Sequence, residues 1–166
     1  RSASSPLLRR TDAMNDVEYL AIIKFCAEEV QRQEDEPKYV AGMVEAWLDA
    51  VRLAEARKQL RSKDIIRWGH LVKPDLNPPD RFRDVNVRMG FDFGSDHHEV
   101  PRQIRDLLRF KGETVPPAEV YLAFEKIHPF RDGNGRAGKV LLAWLSGCLL
   151  CPERMDIPNP LGIGNP

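Results

Sequence analysis

Apolar positions along the chain recur at helical spacing in most segments and alternate in only one. Between Asp12 and Glu34, Val17, Leu20, Ala21, Phe25 and Val30 fall near one face, and the run EDEP ending at Pro37 closes the segment. The next stretch is more regular. Val40, Met43, Val44, Trp47, Leu48 and Val51 follow i, i+3, i+4, i+7 spacing, which predicts a helix from Val40 to about Leu60. Arg57, Lys58, Arg61 and Lys63 gather at its end, where cations suit the negative pole of the helix dipole. Ser62 or Asp64 then caps a short helix carrying Ile65, Ile66, Trp68 and Leu71. Pro74, Pro78 and Pro79 keep the following KPDLNPPD stretch irregular.

From Arg83 to Phe93 the pattern alternates in part (Val85, Val87, Met89, Phe91, Phe93) and Gly90 interrupts it, which predicts a β-hairpin or bent strand pair. Val100–Phe110 reads as a helix with Ile104, Leu107 and Leu108 inward. Pro116 and Pro117 fit the first turn of another, whose stripe is Val120, Tyr121, Phe124 and Ile127. Val140–Leu150 is apolar on nearly every side, the body of a central buried helix that begins near Arg136. Trp47, Trp68 and Trp144 sit at core spacing and are expected to pack. The pattern as a whole predicts an all-α bundle with one hairpin over residues 12–155, between a flexible leader (1–11) and a flexible tail (156–166).

Composition narrows the functions open to such a bundle. The 166 residues suit one domain, with 42% hydrophobic and 30% charged residues, as in ordinary globular proteins. The 25 Lys and Arg balance 25 Asp and Glu, so the net charge is zero. Neutrality argues against a nucleic-acid surface, which needs a basic excess, and leaves room for a small anion site. The longest apolar run, Val140–Leu145, is far too short to span a bilayer. The chain begins at Arg1 rather than Met, so a fragment or processed product is expected, and RSASSPLLRR lacks the apolar region of a secretory signal. Cys26, Cys148 and Cys151 form no zinc set and read as thiols of a reducing compartment, hence an intracellular, cytoplasmic protein. His97 and His98 lie among Asp92, Asp96 and Glu99, but adjacent residues of a strand face opposite ways and rarely share an ion.

The chemistry concentrates in one segment, His128-Pro129-Phe130-Arg131-Asp132-Gly133-Asn134-Gly135-Arg136-Ala137-Gly138-Lys139, where one core helix turns into the next. Gly133 and Gly135 accept positive φ, and Asn134 tolerates it, so successive N–H groups can converge on an anion. The helix that follows adds the positive end of its dipole. Arg136 and Lys139 lie one turn apart on the same side of its start. Asp132 alone would repel phosphate; a Mg²⁺ ion held by that carboxylate and by phosphate oxygens removes the conflict. A neutral His128 at the entrance can take a proton from a hydroxyl. Taken singly, DGNG is an ordinary turn and His-Pro a capping dipeptide. Together these residues describe phosphate-centred transfer.

At these residues the chain resembles the Fic family, whose signature reads HPFx(D/E)GNGRxxR. The resemblance covers about residues 40–155: Ile66–His70 is similar to an upstream family helix, Arg83–Glu99 to its target-docking flap, and Val100–Leu108 to the helix after the flap. It implies a protein adenylyltransferase that moves AMP from ATP to a Ser, Thr or Tyr hydroxyl of a target protein docked on the flap. By that resemblance His128 is the general base and Asp132 holds Mg²⁺ against the phosphates. Gly133, Asn134 and Gly135 hold the α-phosphate, Arg136 the β-phosphate, and Phe130 and Pro129 serve packing. Lys139 departs from the signature, which has arginine there for the γ-phosphate, so a different phosphate-containing donor, or a non-catalytic nucleotide-binding module, stands as the alternative. Many members are restrained by a helix bearing (S/T)xxxE(G/N). The nearest match, Ser95-x-x-x-Glu99, continues with Val100 and lies beside the flap. Restraint is then expected from a separate inhibitory partner, from residues preceding this chain, or not at all.

Overall fold

Asn15 starts the first helix. Its side chain accepts the Glu18 N–H and the Glu18 carboxylate accepts the Asn15 N–H, each at 2.9 Å, a reciprocal cap that sets α1 at Asp16–Arg32. This computed structural model describes residues 11–109 and 114–159, so positions 1–10 of the expected leader and 160–166 of the expected tail lie outside it. Thr11 is buried, with its hydroxyl donating to Glu55 at 2.9 Å, and Ile157 packs against the core.

A 3₁₀ turn at Pro37–Tyr39 leads into α2, Val40–Glu55. That helix stops short of the predicted Leu60. Arg57 takes a φ of 51°, and the Lys58 N–H turns back to the Leu53 carbonyl at 2.9 Å, a C-terminal closure that apolar spacing does not announce. Helix α3 runs from Ser62 to Val72 with Arg61 in the capping position. Asp64 acts from inside the first turn, accepting the Arg61 N–H at 2.9 Å.

The predicted hairpin is real but small. Only β1 (Arg88–Met89) and β2 (Asp92–Phe93) pair, antiparallel, with Arg88 opposite Phe93 and Gly90 at φ 59° in the turn. Helix α4 spans Val100–Arg109, and Phe110, its expected last residue, is outside the described residues. Helix α5 spans Pro117–Ile127 and α6 Asn134–Ser146. The buried helix thus begins slightly before the expected Arg136 and ends before Leu150, where Gly147 adopts a left-handed φ of 68°.

Helix α6 is the central element, packed against α5, α2 and α3. Around it Trp47, Leu48, Trp68, Phe124, Phe130 and Leu141 are fully buried, each contributing about 1.5–3 kcal/mol of apolar burial. The buried indoles are satisfied: Trp47 donates to the Leu149 carbonyl and Trp68 to Asp49, both at 2.8 Å. Trp144 is partly exposed and packs its ring on Trp68 at 6.4 Å. All three tryptophans are packing residues, as their spacing predicts. Gly69 on α3 gives way to the Phe130 ring; a Cβ there would lie 2.1 Å from it. That close approach pins the α5–α6 turn to the end of the bundle. Among the described residues no helix is long and apolar enough to cross a membrane.

Candidate active site

His128 closes α5 in a left-handed conformation, φ 55° and ψ 64°, costing about 1–2 kcal/mol for a non-glycine residue. The surroundings hold it there. Its N–H bonds to the Phe124 carbonyl at 3.0 Å, and its carbonyl accepts Arg83 Nε at 2.7 Å. The imidazole Nδ1 lies 3.3 Å from the Glu125 carbonyl. A carbonyl only accepts, so Nδ1 carries the proton and Nε2 keeps its lone pair. Burial lowers the pKa below the ordinary histidine value, so the ring is neutral at pH 7.

The loop after His128 is tied inward at every step. Asn134 spends its side chain on Phe130, accepting the N–H at 2.8 Å and donating to the carbonyl at 3.0 Å. What Asn134 leaves for an anion is its backbone N–H. No side chain caps α6, whose N-cap is Gly133 at φ 76°, yet Asn134 and Arg136 in its first turn are buried. Uncapped N–H groups at a buried helix start are the donors an anion satisfies. Arg136 adds to them: it is 1% exposed, donates to the Val72 carbonyl at 3.1 Å, and leaves Nε buried without a hydrogen-bond partner among the described residues.

Asp132 stands at the rim. Its Oδ1 accepts the Gly133 N–H at 2.7 Å, and its Oδ2 lies 3.3 Å from the Lys73 ammonium. A cation therefore already stands against the half-exposed carboxylate, and the donor set, one carboxylate open to solvent beside an anion nest, fits a Mg²⁺ ion shared with phosphate.

Two residues that the sequence pattern passes over assemble this loop. Asn77, buried in the proline-rich stretch, donates to the Gly69 and Asp132 carbonyls at 2.8 Å and accepts the Arg131 N–H at 3.2 Å. Arg83, also buried, donates to the carbonyls of His128, Val85, Ser95 and Ile127. Their signal was faint: a lone Asn between prolines and one of many arginines. Asn77→Ala should cost about 1–3 kcal/mol in stability, the penalty for orphaned buried groups. If the loop performs the phosphate-centred transfer that the sequence leads one to expect, that activity should fall further than unfolding explains, which chemical denaturation beside an activity assay will show.

The expected cationic pocket is electrically closed. Glu29, near the end of α1 and 1% exposed, meets Lys139 Nζ at 2.7 Å and is also held by Arg32 and by Gln33 at 2.6 Å. Asp35 meets Arg136 at 2.6 Å and Lys73 at 2.8 Å. Glu29 lies in Phe25-x-x-x-Glu29-Val30, which lacks the flanking residue types of (S/T)xxxE(G/N) yet brings a carboxylate to Lys139. Glu125 faces the same region; burial pushes its carboxyl up to about 7, against the pull of Lys139. A groove of about 560 Å³ opens beside Gly135 and Lys139 and is lined also by Tyr121 and Glu125. A larger hollow of about 820 Å³, between the start of α3 and the end of α4, touches none of the signature residues.

The Fic/DOC family model matches residues 59–146, more than half of the chain and all of the turn just described. The chain belongs to the Fic/DOC family. A probable protein adenylyltransferase of Aquifex aeolicus (strain VF5) is 28% identical over 136 residues, covering 72% of this chain and 42% of the relative. The Fic fold recurs in solved structures. IbpAFic2 covalently tethered to Cdc42 aligns with a TM-score of 0.61 at 22% identity, over 84% of this chain and 50% of that one. IbpAFic2 in complex with adenylylated Cdc42 gives 0.61 at 18%, over 92% and 53%. A Fic family protein of Desulfovibrio desulfuricans G20 gives 0.58 at 18%, over 82% and 51%. The chain thus spans about half the length of these relatives. In this Fic domain the short hairpin is the flap, and its base is joined to the histidine. The Arg83 N–H bonds to the Pro129 carbonyl at 3.1 Å, and the Ser95 N–H to that of Ile127 at 3.2 Å. Asp96, His97 and His98 follow the flap in a turn, not a strand. Their ligand atoms lie within 4.8 Å of one another and the rings are 3.8 Å apart, while each Nδ1 is already engaged, by Asn86 or Asp96.

Proposed function

We propose that this domain is a protein adenylyltransferase, in which a hydroxyl oxygen of a target protein attacks the α-phosphorus of ATP and takes the AMP as the bond to the β-phosphate breaks and pyrophosphate leaves. The observation that carries the reading is the pairing of a neutral imidazole, Nε2 free, with an uncapped helix start and a buried arginine one loop away. His128 takes the hydroxyl proton at Nε2. The first N–H groups of α6 hold the α-phosphate and stabilise the charge that develops on it, a preorganised contribution that often dominates catalysis. Arg136 binds the β-phosphate through a guanidinium whose Nε has no other partner, and Lys139 lies one turn on for the terminal phosphate. Asp132 would hold Mg²⁺, which supplies charge neutralisation to the phosphates when bound. The target is presented on the flap, where Phe91 and Phe93 are exposed by 96% and 68% and available to a protein partner. IbpAFic2, whose fold is alike, is seen with Cdc42 in two structures.

Glu29 and Asp35 restrain this site in the ligand-free chain, since each neutralises a cation that phosphate needs. Incubation with lysate, Mg²⁺ and ATP labelled at the α- or γ-phosphate tests the reading. Label should reach protein from α-labelled ATP only; transfer from γ-labelled ATP would make the enzyme a kinase instead. The pH dependence should split. With the His128 pKa lowered, kcat is expected to rise through a midpoint below about 6.5 and stay level above it. Ionisation of Glu125 at about 7 adds negative charge near Lys139, so KM for ATP should climb above that pH. Initial rates from pH 5 to 9 will separate the two limbs.

A further inference from the structure

Asp35 is gripped by two cations at once. Lys73 Nζ lies 2.8 Å from each of its carboxylate oxygens, and Arg136 Nη2 lies 2.6 Å from Oδ2. The Tyr39 ring forms the floor, 3.8 Å from the Lys73 ammonium and 5.6 Å from the Arg136 guanidinium, and its hydroxyl is tied to Asp75 at 2.5 Å. Both cations are buried, Lys73 at 8% exposure and Arg136 at 1%. Lys73 ends α3 and belongs to no part of the signature. Its loop is fixed, because its carbonyl accepts the N–H groups of Leu76 and Asn77.

This is the geometry of an anion subsite with an internal anion in place. The Asp35 oxygens stand in for two oxygens of a phosphoryl group. We propose that Lys73 and Arg136 together form a polyphosphate subsite, that Asp35 fills it in the ligand-free chain, and that Lys73 selects donors by the length of their phosphate chain. The proposal rests on the nucleotide reading above. Lys73 is placed for it on the other side as well, 3.3 Å from Asp132, so one ammonium spans the stand-in carboxylate and the carboxylate that would hold Mg²⁺. Burial works to lower the Lys73 pKa, but Asp35, Tyr39 and Asp132 raise it overall, so the charge is retained at every working pH. The subsite also makes sense of Lys139. An arginine fork is dispensable at the last position of the signature if a second buried lysine serves the same phosphates.

The test compares binding of AMP, ADP and ATP, with Mg²⁺, by titration calorimetry. Lys73→Met should weaken ATP and ADP by about tenfold or more, the loss of one charged hydrogen bond, and leave AMP nearly unchanged. Lys73→Arg should recover most of the ATP affinity. Asp35→Asn, which keeps both cations and removes the internal anion, should tighten ATP more than AMP. Equal losses for all three nucleotides with Lys73→Met would make the lysine merely structural and overturn the subsite. So would an unchanged ATP affinity. If Lys73→Met does not fold, Asp35→Asn decides: no preferential gain for ATP overturns the proposal. A wild-type domain that binds none of the three nucleotides removes the parent reading and this one together, whereas wild-type binding with no selective effect removes this one alone.

Discussion

Replacing His128 by alanine is expected to reduce transfer from α-labelled ATP by about 10²- to 10⁴-fold, the usual contribution of a positioned general base. The protein should remain folded. Among the described residues the side chain makes one hydrogen bond, 3.3 Å to the Glu125 carbonyl, and the backbone bonds to Phe124 and Arg83 do not involve it. ATP affinity should change little, because in the proposed mechanism the phosphate groups are held by α6 and not by the imidazole. Label incorporation beside thermal unfolding and nucleotide titration separates these expectations. Labelling that survives the substitution at the wild-type rate would remove His128 from the chemistry and with it the proposed mechanism.

The second large effect concerns Glu29. Glu29→Gln keeps the shape of the side chain and removes the charge that neutralises Lys139 across 2.7 Å. Two consequences of opposite sign follow. Stability should fall by about 3–5 kcal/mol, because a buried lysine loses its partner. Transfer should rise, by about tenfold if the freed ammonium recovers one charged hydrogen bond to phosphate. A purely structural ion pair predicts loss of both together. Measuring the unfolding midpoint and the initial rate on the same preparation distinguishes the cases, and a rate that drops with stability would end the idea that α1 restrains the site.

What the sequence makes legible is what lies close together along it. The signature is contiguous, so His128, Asp132 and the α6 start can be read as one unit, and the structure brings them together. Helices α2 and α5 follow from apolar spacing because each turns one stripe to the core, and α6 because it is apolar on nearly every side. Boundaries fare less well. Helix α6 begins at Asn134, in a stretch of buried polar residues that hydrophobic periodicity cannot register. These polar residues are the ones the proposed function uses, and function is where local rules are broken. Alternation over Arg83–Phe93 suggests a longer hairpin than the two-residue strands observed, since the approach to the strands is held by Arg83, through the Val85 carbonyl and that of Ser95 beyond the hairpin, and not by a ladder. The acids are least visible of all. Asp35 and Arg136 are 101 positions apart, and nothing in either neighbourhood states that they meet.

Closing the pocket with its own acids has a kinetic consequence. Lys73, Arg136 and Lys139 face Asp35, Asp132 and Glu29, so the site has no net charge to project into solvent. A nucleotide bound as proposed would not be drawn in from a distance; it would arrive by unassisted diffusion, with selectivity beginning only when a phosphate is near enough to displace a carboxylate. Such a site resists the many small anions of its surroundings, because a singly charged ion gains too little to evict a paired aspartate. A polyphosphate that displaces two carboxylates at once gains enough. On the proposed subsite the entry barrier is a valence filter: it counts charges on the visitor before any hydrogen bond has read its shape.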